Sequence, residues 1–576
     1  MQQALGAFDG IAKRALSGLG ERRWLAAPFL IALCLALYLP GFVSLPVTDR
    51  DEARFAQATK QMLETGNYID IRFQDDPRYK KPVGIYWLQA LSVSQLSPER
   101  LTDIWAYRVP SLIGIIAAVL LTWWAARPIF GRETALLAAI LLAPAFTLGL
   151  EARIAKSDAV LLATIVLAQG ALARLYLLGR ARRRRMAGIA AIFWIALGLG
   201  ILVKGPVAPG LALLTAIPVL IFDRDRAWLR SLHAAWGVPL MLAITLPWFI
   251  AIGVMSDWEF FRLAFGEDFL SKIKGGQEKH WGPPGFYFVS FWWSFWPAAL
   301  VATGGAAIWL WRNRMRRRAL FLLAWIIPFW LVLEATPTKL PHYAMVFYPA
   351  IAIGAAWVLR EAVFSGELRL RTYRQGAALW LLIAVLQLAV LGFGLIYFQV
   401  MPSVWFWPLA AGVALLAPLT AMAAWNGLFH AAITTAIITA ALLYTAVFRF
   451  VLPSLDSLWM SRQTAEIVDA LRPCAPGPVV LTRYREPSAI FHLGTATQLA
   501  SVADAAEALR TGKAAYALVP VENGRLLSGE VPPRPVACVN GFNINGGKHL
   551  QMQVITLKSA ETLAACPVPE RYRCGF

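Results

Sequence analysis

The chain has 576 residues, of which 58% are hydrophobic and only 15% are charged. Soluble globular domains carry about 25% charged residues, so this composition excludes a soluble protein and predicts an α-helical polytopic membrane protein. The formal net charge of +20 does not by itself indicate nucleic-acid binding, because membrane proteins concentrate lysine and arginine in their cytoplasmic loops.

The apolar segments predict thirteen transmembrane helices, since a crossing needs about 20 mostly apolar residues. The fifth and sixth are short and are separated only by Lys204-Gly205-Pro206. The predicted spans are residues 25–44, 107–126, 133–150, 157–178, 187–203, 206–222, 233–254, 285–310, 319–335, 343–359, 375–398, 404–424 and 428–450.

Arginine-rich segments set the predicted orientation, because positively charged loops stay on the cytoplasmic side. They precede the first span and follow the fourth, sixth, eighth and tenth, so all of them fall on one face. The basic excess is therefore mainly a topology signal, and we expect no nucleic-acid partner. The segments are Arg22-Arg23, Arg182–Arg185, Arg224 to Arg230, Arg312 to Arg318 and Arg360 to Arg374.

The first loop of the opposite, external face covers residues 45–106 and is densely charged between Asp49 and Trp87. It contains Asp51-Glu52-Ala53-Arg54-Phe55 and later Arg78-Tyr79-Lys80-Lys81-Pro82, followed by Tyr86-Trp87. A carboxylate pair near an arginine, with lysines in an aromatic setting beside the membrane, favours an anionic ligand.

Four further charged segments share this predicted face: 151–158, Lys204, 256–284 and 336–343. Taken singly, Lys204 and Lys339, the latter within 336–343, each fit a lysine at the end of a span whose side chain extends to the lipid headgroups. Because lysines are uncommon in short external loops and these lie beside acidic segments, together they predict a shared anion site.

Residues 1–452 form the predicted membrane domain, and residues 453–576, which contain no span, form a predicted α/β domain. The odd number of spans places this second domain on the external face. Its predicted helices are Thr464–Leu471 and Val502–Leu509, and its predicted strands are Val479–Thr482, Ala515–Val519, Val536–Val539 and Met552–Leu557.

Four of the five cysteines lie in this second domain, and the fifth, Cys34, lies in a span. Cys474, Cys538, Cys566 and Cys574 have neither CxxC spacing nor a histidine at metal-ligand spacing. They therefore predict two disulfides with three alternative pairings.

The charged motifs, in their order along the chain, resemble those of the GT-C glycosyltransferases of the lipid A aminoarabinose transferase type, which are related to protein O-mannosyltransferases. Asp51 to Phe55 resembles the family's Asp-Glu-x-Arg-Tyr, and Arg78 to Pro82 resembles its Arg-Tyr-x-Glu-Lys-Pro. Further signatures are matched by Ser157-Asp158, Lys204-Gly205 and Lys339-Leu340-Pro341-x-Tyr343.

This resemblance implies an inverting glycosyltransferase of the bacterial inner membrane with its active site facing the periplasm. It would move a sugar from an undecaprenyl (polyprenyl) phosphate donor to lipid A, lipopolysaccharide core or another periplasmic glycoconjugate. Membrane lipids would be further partners of the protein. One alternative is a protein O-glycosyltransferase that uses the same donor class. A less favoured one is a transporter or flippase of lipid-linked sugars, which would need polar residues or broken helices at mid-span.

The resemblance also assigns roles to residues. Asp51 is the expected catalytic carboxylate: a general base toward a hydroxyl acceptor, or a group that orients the sugar if the acceptor is an ionised phosphate. Asp158 is the second candidate, for sugar positioning. Lys81 is expected to bind the donor phosphate, on which charge develops as it leaves. The other expected substrate or phosphate contacts are Arg54, Lys204, Lys339, Tyr343, Lys80, Tyr86 and Glu52, the last as a partner of Arg54 or as a solvated side chain.

Two departures from the family pattern concern the donor and the cofactor. Lys80 stands where the family has a carboxylate, and Gly266-Glu267-Asp268 stands where Glu-His is expected, which leaves His280 as the nearby histidine. No cofactor is assigned: a divalent metal remains an alternative, but the ligands that the family would supply for it are replaced in this chain. The more basic pocket suits an acidic sugar such as a uronic acid as well as an aminosugar, so the donor stays open. Further phosphate contacts are expected from Arg262, Lys272 and Lys274.

Overall fold

The apolar segments form helices in the computed structural model, which describes residues 2–179, 186–269, 281–302, 304–363, 371–522 and 534–574. Among these residues, nine helices are long and apolar enough to cross a membrane, and Trp24–Tyr38 and Val207–Phe222 are shorter apolar helices. The longer helices are Gln2–Glu21, Arg23–Tyr38, Asp51–Thr65, Gly84–Leu96, Ile104–Phe130, Arg132–Leu142, Phe146–Glu151, Asp158–Leu178, Ala187–Lys204, Val207–Phe222, Ala234–Met255, Phe286–Ser294, Gly304–Arg312, Arg317–Ala335, Pro341–Glu361, Arg371–Tyr397, Phe406–Trp425 and Phe429–Ser454.

Two predicted spans, 133–150 and 285–310, are interrupted rather than continuous. Pro144 and Pro297 stand in the interruptions, where a proline cannot continue the hydrogen bonding of a helix. Backbone groups at the interruptions find hydrogen-bond partners inside the protein. The Phe146 amide donates to the Trp296 carbonyl at 2.9 Å, and the Tyr444 hydroxyl donates to the Pro144 carbonyl at 2.6 Å. Non-helical backbone inside a membrane requires such internal partners. All thirteen predicted spans therefore correspond to helices or interrupted helices.

Loops that the span count predicts on one face do meet in the structure. Arg317 binds Asp223 and Asp225, which joins the loop after the sixth span to the one after the eighth. Arg316 lies 3.5 Å from Glu361, which joins the loop after the tenth span to the same group. The alternation of loops between two faces thus follows the predicted order.

At the opposite face, the first loop folds into two helices, Asp51–Thr65 and Gly84–Leu96, which we call the first and second loop helices. The first ends at Gly66, whose φ of 71° places it in the left-handed region that glycine favours. A small antiparallel ribbon, β1 (Arg72–Phe73) and β2 (Asp76–Pro77), lies between the helices.

The C-terminal part contains the predicted sheet, formed by β3 (Val479–Leu481), β4 (Gln498–Leu499), β5 (Tyr516–Pro520), β6 (Arg534–Asn543) and β7 (Lys548–Thr556). The strands lie in the order β4-β3-β5-β7-β6. β3 pairs in parallel with β4 and β5, whereas β7 pairs antiparallel with β5 and β6. The predicted strands are confirmed, but β6 and β7 are longer than expected, and β4 and the helices Pro487–Leu493 and Ala560–Ala564 were missed. The helices of this part include Met460–Leu471, Pro487–Leu493, Val502–Arg510 and Ala560–Ala564.

The structure selects one of the three cysteine pairings left open by the sequence. Cys474 is bonded to Cys566, and Cys538 is bonded to Cys574. Both bridges attach the C-terminal tail to the sheet and its first helix, while Cys34 stays reduced and buried.

Candidate active site

A cavity of about 360 Å³ opens where the second loop helix meets the ends of several membrane helices. One part of its wall is charged or polar, and the rest is apolar. The polar lining is Lys80, Lys81, Asp158, Lys204, Thr336, His342 and Tyr343, and the apolar lining includes Phe249, Phe260, Phe329, Val332 and Leu333. The structure thus brings together five of the ten residues predicted for the site, on segments far apart in sequence.

Asp158 is the acidic centre of this wall. It is the first residue of the helix Asp158–Leu178, and its Oδ1 lies 2.5 Å from the Lys204 Nζ. His342 Nε2 lies 3.8 Å from the same oxygen. The Lys204 ammonium also lies 5.2 Å from the centre of the Tyr343 ring, a cation–π distance. The Lys204 side chain is therefore held between an anion and an aromatic face.

A second buried ion pair, to which the sequence analysis assigned no role, lies behind Asp158. Lys156 Nζ lies 2.8 Å from Glu151 Oε1, and both side chains are almost fully buried. His342 Nδ1 lies 3.9 Å from that carboxylate, so His342 stands between Glu151 and Asp158. Residues 151–158 contain four charged side chains, but only the fold shows that three of them, Glu151, Lys156 and Asp158, form a network with His342.

Lys80 and Lys81 enter the cavity from the turn before the second loop helix. Lys80 is exposed, Lys81 is half-buried, and Pro82 and Val83 are buried beneath them. Tyr79 anchors the same turn, because its hydroxyl donates to Asp70 at 2.7 Å and its ring packs edge-on against Phe260. The backbone that carries both lysines is thus fixed against the cavity wall.

Asp51 and Arg54 lie in the first turn of the first loop helix and are not part of the cavity wall. Asp51 is exposed and Arg54 is half-buried. The Asp51 carboxylate nevertheless acts on Lys156: burial lowers the pKa of that lysine, but Glu151, Asp158 and Asp51 together raise it above its usual value. Asp51 therefore stands close to the ion-pair network from the solvent side.

Glu52 is only 1% exposed, so the alternative in which its side chain is solvated is wrong. Its Oε1 accepts from Arg108 Nε at 2.7 Å and from the Ala155 amide at 2.9 Å. Its Oε2 accepts from Arg108 Nη2 at 3.0 Å and from the Thr48 amide at 2.8 Å. Because these contacts occupy both of its carboxylate oxygens, Glu52 joins the first loop helix to the membrane helices and is not placed to contact a substrate.

Glu52→Ala is expected to destabilise the protein by about 3–5 kcal/mol, because it leaves the fully buried Arg108 guanidinium without its counter-ion. The measurement is the thermal unfolding of the purified protein in detergent. Glu99→Ala, at an exposed glutamate of the same loop, is the control and should unfold like the wild type. Equal stability of the two variants would refute the anchoring role.

Lys339 and Tyr86 do not line the cavity, contrary to the prediction. Lys339 is 5% exposed, and its Nζ donates to the carbonyls of Glu334 at 2.8 Å, Gly282 at 3.1 Å and Pro283 at 3.3 Å. Its ammonium is used to hold two loops together. Tyr86 is fully buried, with its ring 5.3 Å from that of Phe55. Both residues support the site from behind.

The segment before Asp51 is attached to the C-terminal part of the chain. The Asp49 carboxylate accepts hydrogen bonds from the Ser488 amide at 2.9 Å and from the Ser488 hydroxyl at 2.8 Å. Burial raises the pKa of Asp49 to about 6, against the opposing effect of Ser488; Glu486 raises it further and Arg54 lowers it. The helix Pro487–Leu493 thereby holds the start of the first loop helix.

A raised carboxyl pKa means that the folded protein disfavours the ionised form. The contribution of Asp49 to stability should therefore fall as the pH rises from about 4 to about 6, and change no further above that range. Asp49→Asn removes this titration, so the difference in unfolding midpoint between wild type and Asp49→Asn should change over that interval and be constant at pH 7–8. Parallel midpoints across the whole range would show that Asp49 is not buried in this way.

The 256–284 loop is described only in part. Arg262 pairs with Glu259 at 2.8 Å on the exposed side and is not in the cavity wall, whereas Lys272, Lys274 and His280 lie outside the described residues. Among the residues that are described, no group of three or more His, Cys, Asp or Glu side chains is placed to hold a metal. The carboxylates of Asp158 and Glu151 are each paired with a lysine.

Sequence comparisons relate the chain to enzymes with lipid-linked sugar donors. Residues 80–250 match the family described as dolichyl-phosphate-mannose-protein mannosyltransferase. An undecaprenyl phosphate-α-4-amino-4-deoxy-L-arabinose arabinosyl transferase of Pseudomonas fluorescens is 26% identical over 365 residues, 61% of this chain and 62% of the relative. The Pseudomonas aeruginosa protein of the same name is 27% identical over 333 residues, 56% of this chain and 58% of the relative. The alignments thus span less than two thirds of these relatives.

Solved structures extend the likeness to almost the whole chain. ArnT from Cupriavidus metallidurans, crystallised with undecaprenyl phosphate, superimposes with a TM-score of 0.72 at 18% identity, over 92% of this chain and 98% of that one. The Archaeoglobus fulgidus oligosaccharyltransferase superimposes with a TM-score of 0.50 at 13% identity, over 87% of this chain and 70% of that one. The chain therefore has the fold of the GT-C glycosyltransferases, and its resemblance to their aminoarabinose transferase type is confirmed.

Proposed function

We propose that the protein is an inverting glycosyltransferase that moves a sugar from a polyprenyl-phosphate donor to lipid A or another periplasmic glycoconjugate. The observation that carries the proposal is the cavity, which joins a lysine-rich wall to an apolar wall at the ends of membrane helices. A polyprenyl phosphate has this same division between an anionic phosphate and a hydrocarbon chain. Lysine ammonium groups suit the phosphate, and the phenylalanine-rich wall suits the first isoprene units.

In the proposed reaction, an oxygen of the acceptor attacks the anomeric carbon of the sugar. The bond from that carbon to the phosphate oxygen breaks, and polyprenyl phosphate leaves with one additional negative charge. Lys81, on the fixed turn before the second loop helix, stabilises the charge that develops on the leaving phosphate. One displacement inverts the anomeric centre and needs no covalent intermediate on the enzyme.

The two carboxylates have different proposed roles because their surroundings differ. Asp158 is 6% exposed and paired with Lys204, so it accepts hydrogen bonds from sugar hydroxyls rather than a proton. Asp51 is exposed at the edge of the site and can reach an incoming acceptor. It takes the proton of a hydroxyl acceptor, or orients the sugar when the acceptor is an already ionised phosphate.

The matched family model favours one second candidate, a protein O-glycosyltransferase with the same donor class and a serine or threonine acceptor. The transporter alternative has less support, because the ion pairs of the site lie where loops meet helix ends rather than at mid-span. Among the described residues, the polar contacts Gln169–Thr215 and Thr420–Thr435, both at 2.9 Å, are the kind of feature within spans that transport would need in larger number.

Mass spectrometry of lipid A, core oligosaccharide and periplasmic glycoproteins from cells with and without the gene tests the proposal. Loss of one sugar from lipid A or core supports it and names the donor. Loss of a glycan from proteins alone selects the second candidate. Unchanged glycoconjugates, together with altered transbilayer distribution of a lipid-linked sugar, would replace the proposal with transport.

The proposed orientation is tested with reporter fusions. Alkaline phosphatase, which is active only in the periplasm, should be active when fused after Leu452 and silent when fused after Arg230, because these positions follow an odd and an even number of spans. Green fluorescent protein, which fluoresces in the cytoplasm, is the reciprocal control. The opposite pattern for both reporters would place the cavity on the cytoplasmic side and contradict the proposal.

A further inference from the structure

We propose that His342 binds the transferred sugar, by holding one of its hydroxyl groups jointly with Asp158. The proposal rests on the proposed function, since it concerns the donor of that reaction. His342 occupies the variable position of the motif Lys339-Leu340-Pro341-x-Tyr343, so no role was predicted for it. Its new role follows from the surroundings of its two ring nitrogens in the cavity wall.

The two ring nitrogens of His342 face different surroundings. Nδ1 lies 3.9 Å from Oε1 of Glu151, which is 1% exposed and is not part of the cavity wall. Nε2 lies 3.8 Å from Oδ1 of Asp158, which lines the cavity as His342 itself does. Nδ1 is therefore directed toward the protein interior, and Nε2 lies at the cavity surface.

The separation of Nε2 and the Asp158 oxygen suits one bridging oxygen atom. A distance of 3.8 Å is too long for a direct hydrogen bond, and among the described residues neither nitrogen of His342 has a hydrogen-bond partner. One oxygen fits between the two atoms at about 2.8 Å from each. A hydroxyl is both donor and acceptor, so it can accept from the Nε2–H and donate to the carboxylate at the same time. An oxygen of the donor phosphodiester carries no proton to donate, so this pair of groups suits the sugar rather than the phosphate.

Both groups are held in place before the sugar arrives. The His342 ring packs edge-on against the Tyr343 ring, with 4.8 Å between the ring centres. The backbone turns there into the helix Pro341–Glu361, and the Tyr343 amide donates to the Leu340 carbonyl at 3.0 Å. Asp158 is held by Lys204 at 2.5 Å. A hydroxyl bound between such fixed groups costs little side-chain ordering.

The test is competition binding to the purified full chain in lipid nanodiscs, with labelled undecaprenyl phosphate as the displaced probe. The competitors are undecaprenyl phosphate-linked glucose and galactose, their uronic acids, 4-amino-4-deoxyarabinose, and any other sugar that mass spectrometry of the glycoconjugates identifies. The measured quantity is the sugar gain, which is the dissociation constant of undecaprenyl phosphate divided by that of the sugar-linked compound. The compound with the largest gain is then compared with its deoxy analogues, each of which lacks one hydroxyl.

His342→Ala should bind undecaprenyl phosphate like the wild type but reduce the sugar gain by about 2–10-fold, the effect of one hydrogen bond between uncharged groups. His342→Gln should keep most of the gain, because its amide nitrogen reaches the position of Nε2. His342→Asn reaches only the position of Nδ1 and should behave like His342→Ala. His549→Gln, at an exposed histidine of the C-terminal part, is the matched control and should keep the wild-type gain. If His342→Ala lowers the unfolding midpoint, the comparison of the Gln and Asn variants decides alone.

The deoxy analogues identify the shared hydroxyl. One of them should bind equally to wild type and His342→Ala, and the same analogue should show the smallest effect of Asp158→Asn, because both residues hold the hydroxyl that it lacks. Three results would each overturn the inference and leave the proposed function standing: no sugar gain in the wild type, equal effects of His342→Ala on undecaprenyl phosphate and on every sugar-linked compound, or equal effects on all deoxy analogues. Absence of undecaprenyl phosphate binding by the wild type would overturn the proposed function itself, and the inference with it.

Discussion

Asp51→Asn should reduce sugar transfer by about 10²–10⁴-fold, the contribution expected of a positioned general base. The substitution keeps the shape of the side chain and removes its charge. Because Asp51 is exposed and lies outside the buried network of Glu52 and Arg108, folding should be unaffected. The measurement is turnover of the purified variant at saturating donor, compared with its unfolding midpoint.

Asp75→Asn is the matched control, since Asp75 is an exposed aspartate of the same loop and should tolerate the change. Asp158→Asn should be impaired less than Asp51→Asn if Asp158 only positions the sugar. Near-normal transfer by Asp51→Asn would remove it from the catalytic role. If the loss of activity in Asp51→Asn becomes smaller as the pH of the assay rises, the acceptor is a hydroxyl. A loss that does not depend on pH would favour a phosphate acceptor.

Lys81→Ala should weaken donor binding and also slow turnover at saturating donor. A charge-assisted hydrogen bond contributes about 1.5–3 kcal/mol, and more where the charge develops only in the transition state. The expected loss is therefore at least about tenfold in each quantity. Titration with the donor separates the two effects, because binding changes the half-saturating concentration and transition-state stabilisation changes the plateau.

Lys513→Ala, at an exposed lysine of the C-terminal part, provides the control for the loss of one lysine. The comparison of Lys81→Ala with Lys80→Ala is the decisive one: both lysines line the cavity, but we expect Lys80 to contact the sugar and Lys81 the phosphate. Inhibition by polyprenyl phosphate without sugar should therefore weaken more in Lys81→Ala than in Lys80→Ala. Equal, mild losses in both variants would indicate a general surface charge and would move the phosphate site to Arg54 or to the 256–284 loop.

The membrane helices could be predicted from the length of the apolar segments, and their orientation from the positions of the arginines, since both signals are local in sequence. The two interruptions near Pro144 and Pro297 could not, because span prediction counts apolar residues and both interruptions are apolar. The helix Pro487–Leu493 was missed for a related reason: seven residues are too few for a periodic pattern. Its importance comes from Ser488, whose contact with Asp49 joins residues 439 positions apart.

The site was predicted as a set of motifs, and the fold divides that set by burial. Lys80, Lys81, Asp158, Lys204 and Tyr343 line the cavity, whereas Glu52 and Lys339 are buried with their charges used in structural contacts. Nothing in the sequence distinguishes Glu52 from Asp51, its neighbour on the same helix. The distinction depends on Arg108, which lies 56 positions away and approaches only in the folded protein.

The most direct test of the account is the fate of a lipid-linked sugar in proteoliposomes that contain only the purified protein. With the donor class identified by mass spectrometry and the acceptor present on the outer side, the wild type should release free polyprenyl phosphate in step with glycosylation of the acceptor. Asp51→Asn should bind the donor and release almost none. Movement of the intact donor across the bilayer, without acceptor glycosylation and at the same rate in Asp51→Asn, would contradict the account.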